Sequence, residues 1–542
     1  MNPQISKDTK VLIVDDQVLA KGYMKYSLEE LGFSNITYVD KAQHAINKIR
    51  HEHFDLIICS YNLKKDHDGY HLYDQLKHNG ELDPSTAFIF ISADTTSDLV
   101  HSIVELQPDD FLAKPFTVNE LDKRLSKVLL RKRALKKVYR YLGKGQLSKA
   151  LAEVELFLAD PKNSEFFPLA LKTKGELLLA CGHHQQAKEF YQAIINVQPF
   201  TWAQLGLVNA HIYLNEDEDA EKLVLELAFQ SDSQLAAYDL LTALQIKQKD
   251  FENALECVVM ATEISPRNIR RHKTALDLSR ITHDYETQFD AAKKIVKFAK
   301  DSIHDKPENY LNVARAGIDF AMTSDESETF KLLKQANEYV KQFKAAFPKA
   351  ELHDQIKVID ARLLYLQDEK ENAKALLEQL AEENWEMESM DALLDKAKAF
   401  HELGLYEKSS KILDAIERRC KKDQQQGSLF LHYVQQEKQE RIAIKQTPKE
   451  LNNSAVTYYK RGDLDDALRV FRQAFTVMPK NVSIALNLLQ AIAMNENADN
   501  SSSANLKLID NCIRVVENSQ LNDEQLERYH KVRELLQQTG DA

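Results

Sequence analysis

Five short runs of apolar, often β-branched residues punctuate roughly the first 125 positions of the chain, and such runs vanish after Leu130. They are Lys10–Val14, Ile36–Val39, Asp55–Cys59, Ala87–Ile91 and Asp110–Ala113. Stretches of helical periodicity separate them: Val18–Leu31 closed by Gly32, Ala42–His51, Gly69–His78 and Ser97–Leu106. Thr117-Val118-Asn119-Glu120 then sets a threonine three residues before a glutamate, the capping box that opens a fifth helix. Strands alternating with helices at this density predict a doubly wound α/β fold with a parallel sheet. The third run is apolar on both faces, as a central parallel strand requires.

Sheets of this kind bind ligands outside the carboxyl ends of their strands. Polar residues stand at four of those ends: Asp15 and Asp16, Ser60, Ser92 and Lys114. A lone Asp-Asp pair would be a solvated turn, whereas polar residues at four strand ends together describe a site. The stretch from Thr9 to Leu130 resembles a response-regulator receiver domain. The resemblance implies that Asp15, Asp16 and the backbone carbonyl of Asn62 bind Mg²⁺ beside an acceptor aspartate. It also implies that Ser92 hydrogen-bonds the phosphoryl group, that Lys114 pairs with its charge, and that Phe111 is the aromatic switch residue. Asp68-Gly69 resembles the family's Asp-Gly after the third strand, though the loop Leu63–Asp68 is slightly longer than usual. The acceptor position itself departs from the pattern: Cys59-Ser60-Tyr61-Asn62-Leu63 holds Ser60 where the aspartate belongs.

That substitution changes the chemistry. A carboxylate is already ionised at neutral pH, whereas a serine hydroxyl needs an adjacent base, and no histidine stands near Ser60 in the motif. A serine phosphate would be an ester without the lability of an acyl phosphate. Losing one of three carboxylates also weakens a Mg²⁺ site. Asp66 and Asp68 in the following loop are alternative acceptors, while Asp55 lies at the wrong end of its strand. Ser60 as neutral drift in a domain kept for folding or dimerisation is a further alternative. The expectation is a pseudo-receiver that keeps recognition surfaces and stores no phosphate.

Helical periodicity fills the rest of the chain. Arg131–Lys137 is strongly basic and reads as the solvated face of a helix continuing from the receiver, or as a patch for an acidic partner. A small or turn residue, then alanine, then an apolar residue, often then proline, recurs about every 34 positions. Ala150, Ala187, Ala220, Ala254, Gln288, Ala373 and Ala467 hold the alanine position, and Thr201–Gly206 carries a Trp/Leu-Gly signature. The pattern resembles the tetratricopeptide repeat, which implies an all-α solenoid over 131–542 whose best units are 131–300 and 445–495. Loops are expected at 421–428 and 495–503. A single sequence does not single out the concave-face residues.

Function follows by exclusion and by resemblance. A net charge of −12 argues against a non-specific nucleic-acid binder. No apolar run approaches the ~20 residues that span a bilayer, and the N-terminus lacks a signal peptide's core. Five scattered cysteines read as the reduced thiols of a cytoplasmic protein. His51-Glu52-His53 and His183-His184 have poor spacing for a metal, and no P-loop or GxSxG signature is present. A receiver joined to a repeat array is expected to be a non-enzymatic two-component adaptor. It would dock a histidine kinase or phosphotransfer protein, divert phosphotransfer, and bind a further protein on the repeats. A phosphorylation-switched regulator using a nearby aspartate is the alternative. The fourth-helix, fifth-strand and fifth-helix face is left open as a homodimer surface.

Overall fold

The computed structural model describes residues 3–63, 68–94, 96–324, 326–378, 380, 385, 388–422, 428–494, 503–517, 519 and 521–540. Strands β1 (Lys10–Val14), β2 (Asn35–Val39), β3 (Leu56–Ser60), β4 (Ala87–Ser92) and β5 (Asp110–Ala113) form one sheet in the order β2-β1-β3-β4-β5. Every neighbouring pair is parallel, and β3 and β4 are buried along their whole length. Helices α1 (Pro3–Asp8), α2 (Val18–Glu30), α3 (Ala42–His51), α4 (Gly69–His78), α5 (Ser97–Leu106) and α6 (Val118–Ala134) accompany the strands. The doubly wound parallel sheet expected from strand–helix alternation is therefore present, in the flavodoxin-like order that the receiver resemblance implies.

Alternation of side chains along the strands divides the core in two. Leu12, Val14, Ile57, Cys59, Phe88 and Phe90 pack on one face of the sheet, where Leu72, Tyr73 and Leu76 of α4 meet them. Val11, Ile13, Leu56, Ile58, Ile89 and Ile91 pack on the other, against α2 and α6. Helix α6 presents Leu121, Leu125, Val128 and Leu129 as one stripe, and its Thr117–Glu120 capping box forms in both directions. The helix α1 was not legible in the periodicity. It is six residues long, and burial of Ile5 and Ser6 holds it rather than any local signal.

All that follows α6 in the described residues is helical or turn, with no further strand. The basic run Arg131–Lys137 straddles the end of α6 and the start of the next helix, Lys136–Gly143. Its charges are partly spent on neighbours: Lys132 pairs with Asp109 at 3.0 Å, and Arg133 donates to the Ile5 carbonyl at 3.2 Å. Each helix packs on the next in sequence through Leu147–Ala159, Phe167–Ala180, His184–Val197, Thr201–Leu214, Asp217–Ala228, Gln234–Gln248 and Phe251–Ile264. Left-handed backbone closes helices at Gly182, Asn215, Lys249 and His283, a recurrence of about 34 residues. Ala150, Ala187, Ala220, Ala254, Ala373 and Ala467 are fully buried, and Gln288 takes the same place with only 2% exposure.

The chain forms two compact units, one of residues 1–271 with 298–305 and the other of 272–297 with 306–542. The first thus joins the α/β domain to the helices that follow it. Of the two expected loops, 423–427 and 495–502 lie outside the described residues. Lys421 and Lys422 end the helix Tyr406–Lys422, Ser428 opens Ser428–Ala443, and Ser503 opens Ser503–Glu517. Among the described residues no helix is long and apolar enough to cross a membrane.

Candidate functional site

Strand register assembles the site. Val14 lies opposite Cys59, Ser60 opposite Ile91, and Ser92 opposite Ala113. Asp15, Ser60, Ser92 and Lys114 therefore share one edge of the sheet, its carboxyl end. Asp15 is buried, and Lys114 Nζ donates to its Oδ2 at 3.0 Å. The other oxygen of Asp15 accepts from the Gln17 backbone N–H at 2.9 Å, which fixes the carboxylate as α2 begins. Ser60 is 6% exposed, and its hydroxyl donates to the Asn62 carbonyl at 3.2 Å. Ser92 Oγ accepts from the Asp94 backbone N–H at 3.0 Å, and the Lys114 N–H donates to the Ser92 carbonyl at 2.7 Å. Asp16 follows Asp15 in the same turn, and Phe111 is half-buried against the α4 side of the core.

Two features shape this edge. A cleft of about 460 Å³ opens under α2, walled by Ile13, Ala20, Tyr23, Met24 and Phe116, with Asp15, Ser60 and Lys114 at its polar end. Gly69 lies so close to the strand end that a Cβ there would sit 2.2 Å from the Ser60 carbonyl oxygen. Glycine is what lets α4 start directly beneath the acceptor position. Asp15, Asp16 and the Asn62 carbonyl supply the hard oxygen donors that suit Mg²⁺. Burial raises the thiol of Cys59, the residue before Ser60, well above its ordinary range, which makes it inert as a nucleophile.

Of the alternative acceptors, Asp66 lies outside the described residues. Asp68 is engaged elsewhere: it caps α4 by accepting from the His71 backbone N–H at 2.9 Å, and Arg267 donates to its second oxygen at 2.7 Å. Burial alone would raise this carboxyl. Hydrogen bonds from His71 and the charges of His71 and Arg267 overcome that and lower it to about 2. Arg267 also lies over the rings of Tyr61 and Tyr70, 5.5 and 5.4 Å from their centroids, and donates to the Tyr61 hydroxyl at 3.3 Å. Burial pushes the Tyr61 phenol up to about 12, so it stays a neutral hydrogen-bonding group.

Arg267 belongs to a second set of contacts that sequence reasoning missed. Glu105 at the end of α5 accepts from Arg271 at 2.9 Å and also from Ser265 and Asn268. His304 pairs with Asp74 of α4 at 2.9 Å. Residues after the seventh repeat-like helix thus grip α4, α5, Tyr61 and Asp68. Because Glu105 is taken, part of the face considered for homodimerisation is covered by the chain's own helices. Partners some two hundred residues apart leave no spacing signal in a sequence.

The N-terminal domain is similar in sequence to known chains. Residues 11–126 match the response regulator receiver domain family. The chain is 32% identical over 120 residues to a probable chemotaxis protein CheY of Rhizobium etli, covering 22% of this chain and 89% of that one. It is 28% identical over 174 residues to the transcriptional activator protein IrlR of Burkholderia pseudomallei, covering 31% of this chain and 73% of that one. Among solved structures, the receiver domain of Francisella response regulator 1452 shares 27% identity, covering 23% of this chain and 98% of that one, with a TM-score of 0.21. A receiver domain of a LuxO-type repressor from Vibrio parahaemolyticus shares 24% identity, covering 23% and 92%, with a TM-score of 0.21. The chain belongs to the response-regulator receiver family through its N-terminal domain. Two-component signalling is accordingly its setting.

Proposed function

We propose that the protein is a non-enzymatic, cytoplasmic two-component adaptor whose receiver docks a histidine kinase or phosphotransfer protein without accepting phosphate. The observation that carries this reading is Ser60, a hydroxyl bonded to a backbone carbonyl where phosphotransfer needs an ionised nucleophile. Beside it, Lys114 pairs with Asp15 at 3.0 Å, the two residues that the receiver resemblance places around the acceptor. Bound Mg²⁺ would neutralise incoming phosphoryl oxygens, and Asp15, Asp16 and the Asn62 carbonyl would hold it. With two carboxylates rather than three, that binding is weak. The engagement of Asp68 by Arg267 and His71 favours this reading over one in which that neighbouring aspartate accepts phosphate.

The helical region is a tetratricopeptide-type array in this reading, and it carries the output as a protein-binding surface. Left-handed turn residues at intervals of about 34 and the fully buried alanines support it. The test uses acetyl phosphate with Mg²⁺ and intact mass. The natural chain is expected to gain no base-labile phosphoryl group, while Ser60→Asp gains one. A stoichiometric adduct on the natural chain would overturn the reading in favour of a phosphorylation-switched regulator. Adding the protein to a kinase and its competent regulator should then lower transfer between them.

A further inference from the structure

A phosphoryl group at Lys114 would fill only the polar end of the cleft under α2 and leave its apolar remainder unused. At about 460 Å³ the cleft lies within the range of small-molecule pockets, roughly 300–1,000 Å³. Its floor is Ile13, Ile58 and Ile91, all buried, from the adjacent strands β1, β3 and β4. Ile13 lies opposite Ile58 in the ladder, and Ile91 opposite Ser60, so the sheet itself fixes the floor against the polar end.

The roof is helical. Ala20, Tyr23 and Met24 fall at i, i+3 and i+4 and so share one face of α2. The Tyr23 hydroxyl donates to the Phe116 carbonyl at 2.8 Å, and the two rings meet with centroids 5.6 Å apart. This strap ties α2 to the segment after β5, while Ala20, one turn earlier, contributes only a methyl group to the roof.

The polar end selects by charge. Asp15 and Lys114 are joined at 3.0 Å, so the charges among the lining residues cancel within one pair. An aspartate at position 60 would leave a net negative charge there, whereas Ser60 adds none. The Lys114 ammonium carries three N–H donors, and Asp15 takes one of them. An ionised ligand buried among apolar walls is penalised unless it is paired, whereas a neutral body with a hydrogen-bond acceptor is not. We propose that this cleft is a binding site for a neutral aromatic small molecule whose carbonyl oxygen accepts from Lys114 beside Ser60. The proposal rests on the reading of Ser60 as a position that takes no phosphate.

The probe is prodan, a neutral naphthalene bearing one carbonyl, titrated by fluorescence into the full chain without Mg²⁺ or phosphodonor. Saturable binding at one site with blue-shifted emission is expected. Ala20→Phe, which fills the roof, should weaken it roughly ten-fold or more. Ser60→Asp, which puts a charge at the polar end, should weaken it by roughly ten-fold as well. Hydrogen exchange on the natural chain should show prodan protecting α2 and the residues around Lys114–Phe116, and not the helices after α6. No saturable binding, equal affinity for the natural chain and either variant, or protection confined to those later helices would each overturn the proposal. So would tighter, Ala20-dependent binding of the anionic probe anilinonaphthalene sulfonate, since the occupant would then be an anion. Where Ala20→Phe unfolds, Ala20→Leu replaces it, and exchange on the natural chain decides. A phosphoryl adduct found by mass would overturn the reading of Ser60, whereas the prodan titration alone decides the cleft.

Discussion

At the scale of single residues, Arg267 and Ser60 carry opposite lessons. Ser60 was legible because strand register gives its position a defined role, so the missing carboxylate stands out against Asp15 and Lys114. Arg267 was not, since its partners Asp68, Tyr61 and Tyr70 lie in a different domain of the sequence. Removing one side of a buried ion pair costs more than the pair contributes, because the other charge is left in low dielectric. Arg267 keeps 34% of its side-chain exposure, which moderates that cost. Arg267→Ala is therefore expected to destabilise the first unit by about 1–2 kcal/mol. Pairing it with Asp68→Asn should recover part of the loss in a double-mutant cycle read by urea unfolding. Strictly additive effects would show that the two side chains do not act as a pair.

Elements show how far periodicity reaches. Strands β1 and β5, helices α3, α4 and α5, and the capping box of α6 follow from local pattern, because each is fixed by alternation, caps or an apolar stripe. The expected third strand, Asp55–Cys59, sits one residue later at Leu56–Ser60, since ladder pairing with β4 draws Ser60 into the sheet. In the helical region the sequence marks the close approaches through its small residues. Tyr191 is fully buried between Gly175 and Gly206, where an added Cβ would sit 2.6 and 2.3 Å from its ring. Gly206→Ala should therefore cost about 1–3 kcal/mol, the usual penalty of overpacking, despite alanine's better helix propensity. Shortening the ring with Tyr191→Leu in the same chain should return some of that loss. A thermal midpoint unchanged by Gly206→Ala would mean that the helices separate there at no cost.

Across the whole molecule, charge is where a sequence misleads most. A run of charged residues reads as a solvated face, yet Arg315, Asp319, Arg362, Asp395, Lys398 and Glu437 are all buried in the second unit. Several of their counter-charges come from helices far apart in sequence, as Asp319, Asp395 and Glu402 do for Arg362, so the pattern gives little warning. One consequence is a defined sensitivity to acid. Burial, together with the charge of Arg441, pushes His401 down to about 4, against the opposing pull of Glu437. The unfolded chain binds this proton near the ordinary histidine value of about 6.5. Folding therefore favours the neutral ring: its contribution is complete above about pH 6.5 and declines as pH falls from there toward 4. Within that window the slope through this group approaches about 1.4 kcal/mol per pH unit. Asp277, which burial raises to about 6, titrates in the same window in both chains, so the difference from His401→Gln isolates the ring. Urea midpoints measured between pH 7.5 and 4.5 should fall more steeply for the natural chain than for His401→Gln. Parallel slopes in the two chains would show that the ring is protonated in the fold and that the charged interior accommodates it.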